Sequence, residues 1–167
     1  MALNAYLRLK GQKQGDIKGS VIQKGREDSI MVIAVSHQIV SPRDAASGLP
    51  TGKRMHKPFT ITKELDKSSP LLYSVLCNNE NIPEWSLEFW TPQISAKTGS
   101  GAEVQHFTVK LENANIASID FQMANNKHPD LMKFAEYENI SFTYEKITWT
   151  WKQGGIEAED SWAAPVV

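Results

Sequence analysis

"IMVIAVSHQIV", residues 30–40, alternates in character from one position to the next. The odd positions Met31, Ile33, Val35 and Ile39 are large and apolar, interrupted only by His37, whereas the even positions include Ala34, Ser36 and Gln38. Successive side chains of a strand point to opposite faces, so this pattern predicts a β-strand with its odd face in a core and its even face wet. The same reading applies at 84–90, where Trp85, Leu87 and Phe89 oppose Glu84, Ser86 and Glu88.

Outward from these two segments, short alternating runs separated by Gly, Pro and Asn predict strands over 3–9, 20–24, 30–40, 58–63, 84–91, 103–113, 115–123, 139–152 and 156–160. That succession argues for an all-β sandwich or barrel. In the long run 139–152 the parity slips: Ile140, Phe142 and Tyr144 share one face, but Ile147, Trp149 and Trp151 share the other. Either a bulge near Glu145–Lys146 restores one continuous apolar face, or two apolar faces exist and the second needs a partner chain.

One helix interrupts the strands, in "SSPLLYSVLCNN", residues 68–79. Ser69 can cap it, Pro70 suits a first helical position, and Leu72, Val75 and Leu76 fall on one face. Asn78 and Asn79 can end it, since Asn tolerates the left-handed cap conformation. The segment 127–138 is expected to hold at most one further turn.

Between the strands lies "SPRDAASGLPTGKRMHKPF", residues 41–59, polar, basic and long. Unstructured loops beyond about 12–15 residues are uncommon in compact domains and are usually functional or disordered. It is not a phosphate-binding loop: Gly48 and Gly52 are one residue too close, Arg54 stands where a hydroxyl belongs, and the context is all-β.

Composition narrows the function classes. A chain of 167 residues with net charge −1 is read as one domain large enough to bury a core without metal or disulfide. Its overall charge does not suggest a nucleic-acid coat or a membrane-surface protein. Cys77 is the single cysteine and is expected to be a small packed hydrophobe. His37, His56, His106 and His128 have no ligand spacing, so no metal site is expected. As single strand histidines they are read as edge or surface residues. Glu84 and Glu88 stand ~13 Å apart along a strand, too far for a glycosidase pair. The basic cluster Lys53, Arg54, His56 and Lys57, with Phe142, Trp149 and Trp151 as aromatics, is a modest footprint for single-strand nucleic-acid binding. The N-terminal "MALNAYLRLKGQ" does not read as a cleavable signal. Synthesis in the cytoplasm is therefore expected, with export by a route that reads no such signal. Strand edges and a long ordered loop both need a surface, and identical copies can offer one.

Beyond these patterns, six stretches occur in a telling order: "YLRLKG" (6–11), "GDIKGS" (15–20), "SGLPTGKRMHKPF" (47–59), "TKELDKSSPLLY" (62–73), "LENANIASI" (111–119) and "YEKITWTWKQGGIEAEDSW" (144–162). In order and spacing the chain resembles the haemolysin-coregulated protein (Hcp) family, the tube subunits of bacterial type VI secretion systems. Asn79 stands where that family usually has Gly, and Asn125 to Glu138 matches it poorly, as a variable loop would.

The resemblance implies a mainly β, single domain over 1–167. Two packed antiparallel sheets would form a β-barrel-like body, with one flanking helix (about 69–79) and a long extended loop (about 41–57). It implies a structural protein rather than an enzyme, with no cofactor, no nucleic acid and no membrane insertion of its own. Six subunits would form a ring with a wide lumen. Rings would stack into a tube inside a sheath, behind a spike, with effector proteins in the lumen. The chain ends shortly after Trp162, so no fused toxin domain is expected. The loop would be the ring-stacking or intersubunit element, comprising Ser41, Pro42, Arg43, Asp44, Gly48, Gly52, Lys53, Arg54, His56 and Lys57. Its cations would pair with carboxylates opposite, each exposed pair contributing ~0–1 kcal/mol and gaining from repetition. Ser36 and Gln38 are lumen-facing candidates by alternation. The competing reading is a monomeric β-barrel that binds nucleic acid or a ligand.

Overall fold

The computed structural model describes residues 2–94 and 101–163. In chain order the strands are β1 (Ala5–Gly11), β2 (Gly15–Ile17), β3 (Ile30–Val32), β4 (Ala34–Ser36), β5 (Ile39–Val40), β6 (Met55–His56) and β7 (Phe59–Glu64). The helix α1 (Ser69–Cys77) follows, then β8 (Ile82–Ile94), β9 (Gly101–Gln122), β10 (Tyr137–Thr143), β11 (Lys146–Trp151) and β12 (Ile156–Ser161). One sheet runs β2–β1–β8–β9–β11–β12, with β3 also on β1. The other runs β9–β10–β7–β4, and all these ladders are antiparallel. Between them lies a core that includes Leu7, Ile30, Ile61, Trp85, Leu111, Phe142 and Ile147. The fold is therefore the expected one, mainly β and barrel-like with a flanking helix.

The two sheets are joined by segments that pass from one to the other, and each passage shifts the side-chain parity. At Asn113 (φ 49°) the strand β9 turns, so that Val109 and Leu111 point inward before it and Ala114 and Ile116 after it. At Tyr144–Glu145 the chain leaves β10 in one sheet and enters β11 in the other. The two corners are tied together: Asn113 donates to the Glu145 carboxylate (2.7 Å), and the Glu145 amide donates to the Glu112 carbonyl (3.1 Å). The slip read in 139–152 is this corner. Ile147 is fully buried and Trp149 packs on the same core as Ile140 and Phe142, so one continuous core results.

A third passage corrects the reading of 30–40. Ile30 and Val32 are the buried residues there, while Met31 lies on the opposite face and Ile33 is 46% exposed. Ile33 carries the chain from β1 to β7, donating its amide to the Thr62 carbonyl (2.9 Å). Parity flips across it, so Val35, paired with Ile61, lies on the inner face of β4, but there at the sheet edge it stays exposed, as does Ile39, so neither joins the core. A strand read as continuous is three short ones, because each end is captured by a different neighbour.

Three further expectations change. Residues 20–24 are irregular rather than a strand, and β2 (Gly15–Ile17) supplies the pairing instead. Ser68, not Ser69, is the N-cap of α1. At the other end Asn79 (φ 48°) closes the helix as expected, with the Glu80 amide on the Val75 carbonyl (2.9 Å) and the Asn79 amide on the Leu76 carbonyl (3.1 Å). Cys77 is exposed rather than packed.

Ser69 is occupied elsewhere. Lys63 and Glu138 face each other across β7 and β10 on the core side, both fully buried, with Lys63 Nζ donating to Glu138 Oε1 (2.7 Å). Lys63 Nζ also donates to Ser69 Oγ (2.9 Å) and to the Glu64 carbonyl (2.9 Å), and Asp66 lies 3.1 Å away. Ser69 Oγ donates to Glu138 Oε1 (2.8 Å), so the first turn of α1 is held by a buried charge pair as well as by Leu72 and Val75.

Candidate functional site: the arm and its root

Residues 39–56 are a hairpin arm rather than a loop without structure. Ile39 pairs with His56 and Val40 with Met55, and further out Arg43 bridges Pro50. The Thr51 amide donates to the Pro42 carbonyl (3.0 Å) and the Asp44 amide to the Leu49 carbonyl (2.9 Å). The tip is organised by Asp44, whose carboxylate accepts from the Ser47 amide and hydroxyl (2.6 Å each). Those donors hold the Asp44 carboxyl below its ordinary range. Gly48 (φ 71°) makes the turn. The tip is exposed throughout, with Leu49 at 65%.

The root of the arm is a convergent polar cluster. Arg54 forks onto Asp160 of β12 through Nε and Nη2, the latter 2.6 Å from Oδ1, and Nη2 also donates to the Ser161 carbonyl (2.9 Å). Lys53 Nζ donates to the Trp162 carbonyl. Buried His56 places Nε2 2.7 Å from Asp160 Oδ2 and Nδ1 2.7 Å from the Tyr144 hydroxyl. That same hydroxyl lies 2.8 Å from His37 Nε2, so both legs of the arm converge on Tyr144, at the corner between β10 and β11. Phe59 packs on His37 (4.9 Å between centroids) and Trp162 on His56 (5.6 Å).

The electrostatics follow from this packing. The Arg54 fork holds the Asp160 carboxyl below its ordinary range against the opposing effect of burial, with His56 adding to the depression. Burial pushes the Tyr144 hydroxyl well above the usual phenol range, and the Asp160 charge adds to it. Burial, then the neighbouring His56, lowers His37 from its ordinary 6.5.

Of the residues singled out in the sequence, Ser41, Pro42, Arg43, Asp44, Gly48 and Gly52 lie along the arm, and Lys53, Arg54, His56 and Lys57 form its returning leg and root. Arg54 and Lys53 are turned back onto this chain's own β12 and C-terminal segment, while Arg43 and Lys57 are exposed. The expectation that His37 and His56 are edge or surface residues does not hold. No spacing could reveal their convergence, since their contacts with Tyr144 span 107 and 88 residues.

Ser36 and Gln38 are both exposed. Ser36 is paired with Thr60 at the edge of the second sheet, and its outer row continues through Ser141 to Ser118. The next row is Ala34, Thr62, Asn139 and Asp120. The hydroxyls of Thr60 and Ser141 lie 2.8 Å apart, and Thr62 donates to Asn139 (2.6 Å). The charged residues in these rows are Asp120 and, one row further, Glu64. The outer face of the first sheet instead carries rows such as Lys10, Glu84, Glu112 and Lys146.

Among the described residues, no group of His, Cys, Asp and Glu side chains is placed to hold a metal ion, and no helix is long and apolar enough to cross a membrane.

The molecule is thus a two-sheet β body from which a hairpin tethered at its root projects, and comparison with known proteins identifies the family. A family described as "Type VI secretion system effector, Hcp" matches residues 6–151. The "Major exported protein" of Pseudomonas aeruginosa is 37% identical, the alignment covering 99% of each chain. Among solved structures, an Hcp protein superposes with a TM-score of 0.84 at 34% identity, covering 96% of this chain and all of that one. Hcp1 from E. coli EAEC 042 gives 0.79 at 38% identity, covering 96% and 99%. The chain belongs to the Hcp family, the tube proteins of the type VI secretion system.

Proposed function

We propose that this chain is the ring-forming subunit of a type VI inner tube, assembled as stacked hexamers that carry effector proteins in the lumen, and that it has no catalytic role. The observation that carries this reading is the arm, a hairpin clamped at its root to its own barrel while its whole tip projects into solvent. An element so fixed and so exposed is suited to lie on a neighbouring copy. Arg43 and Lys57 are the arm cations that would meet the neighbour's carboxylates, while Lys53 and Arg54 set the angle at which the arm leaves.

Ser36 and Gln38 would face the lumen, together with the hydroxyl row Thr60, Ser141 and Ser118 beside Ser36. A wall rich in Ser, Thr and Asn holds water and small dipoles without a fixed field, which suits passage of varied proteins. A sheath around the tube and a spike at its end are the further partners, and export would proceed through the apparatus itself.

Light scattering on a sizing column followed by negative-stain imaging tests this reading. The expected result is a particle near six times 18.7 kDa with a central hole. A monomer at high concentration that binds oligonucleotides with steep salt dependence would overturn it in favour of a nucleic-acid module.

A further inference from the structure

We propose that Tyr144 with His37 and His56 forms an acid-released latch, which docks both legs of the arm at neutral pH and lets them go when both imidazoles carry a proton. The argument is a count of protons around one hydroxyl. Tyr144 has a single proton to donate, and its oxygen stands 2.7 Å from His56 and 2.8 Å from His37. With both rings neutral, His56 Nε2–H donates to Asp160, its bare Nδ1 accepts from Tyr144, and His37 Nε2–H donates to the Tyr144 oxygen.

One added proton on His56 is accommodated by turning the hydroxyl. Its Nδ1–H then donates to the Tyr144 oxygen, the hydroxyl donates to His37, and His37 moves its remaining proton to Nδ1. A second proton has no such solution. Both rings become donors, the hydroxyl proton loses its acceptor in the chain, and two cations face each other across the oxygen of the buried Tyr144. An unmade hydrogen bond and a like-charge pair both disfavour the docked arrangement.

The groups around the latch decide where this happens. Asp160, Arg54 and Lys53 are the charged neighbours, from β12 and the returning leg of the arm, and Phe59 and Trp162 cover the rings without charge. Arg54 already engages Asp160, so that carboxylate is shared rather than reserved for a second imidazolium. His37 is lowered by burial and by His56, so the docked arm binds its proton less readily than a free arm would. Docking is therefore fully favoured above the ordinary histidine value of 6.5 and weakens as pH falls below it toward the lowered one. The Asp160–Arg54 fork has the opposite character: its carboxyl is lowered from 3.8, so it survives until much stronger acid. The window between is governed by His37, whose proton the docked arm disfavours.

The test is amide hydrogen exchange read as protection factors, comparing segment 39–56 with β7 between about pH 7 and about pH 5. In the native chain, arm protection should be lost progressively over that range while β7 is unchanged, because the docked arm binds the His37 proton less readily than the free arm does. In His37→Gln, which keeps a neutral partner for Tyr144, the arm should stay protected at the lower pH, a gain that misfolding cannot imitate. An arm indifferent to pH, an equal fall in His37→Gln, or simultaneous loss in the arm and β7 would each overturn the latch. The readout is local to the arm and does not depend on the ring reading.

Discussion

At the residue scale, the most consequential side chains are the ones that contradict their surroundings. Lys63 occupies the inward side of β7 next to Ile61, and is tolerated because Glu138 and Ser69 meet it there. A buried ion pair is a weak source of net stability, but removing one partner strands a charge in the core. Lys63→Met alone should cost about 3–5 kcal/mol in denaturant unfolding, whereas Lys63→Met combined with Glu138→Leu should recover most of that loss. A double variant as unstable as the single one would show that the pair is needed for more than neutralising itself. Sequence reading found neither partner, since "FTITKE" looks like a strand that simply ends in charge. The 75 residues between Lys63 and Glu138 hide the match.

At the element scale, the parity of each strand is set by which sheet holds it. Ile33, Asn113 and Tyr144–Glu145 are the places where the chain changes sheets, and only the last announced itself, because its apolar positions run unbroken on both sides of the slip. The run 30–40 misled because Met31 and Ile33 continue the apolar series of Val35 by coincidence, while the true core residues Ile30 and Val32 sit one step off. The helix was legible apart from its first residue, since Leu72 and Val75 repeat at helical spacing and Asn79 marks the stop. Asn79 occupies a left-handed conformation that Gly enters more easily. Asn79→Gly should be neutral or stabilising by up to about 1 kcal/mol, and Asn79→Val should destabilise by about 1–2 kcal/mol, both read as shifts in denaturant midpoint.

At the scale of the whole molecule, the arm divides into a root bonded to this chain's own Tyr144 and Asp160 and a solvent-exposed tip, which under the proposed stacking role would meet another copy. Reversing charge at Arg43 and Lys57 should shorten or abolish tubes in negative-stain images while leaving the melting temperature and the ring mass unchanged. Reversing Arg54 should instead loosen the arm from its own Asp160, which makes it a poor probe of stacking alone. Unaltered tubes in the Arg43/Lys57 variant would remove those cations from the contact. What the sequence determined by itself was the local chemistry: alternation that makes strands, a helix with its stop, a basic stretch of loop residues, and a series of motifs whose order carries the family. Only the tertiary structure decided which face of a broken strand is inside, which cations are already engaged, and that His37, His56, Tyr144 and Asp160 share one site. The shared site in particular depends on contacts between residues 88 to 107 positions apart. Such contacts form only once two sheets have closed over a common core, and no local pattern of residue types encodes that closure.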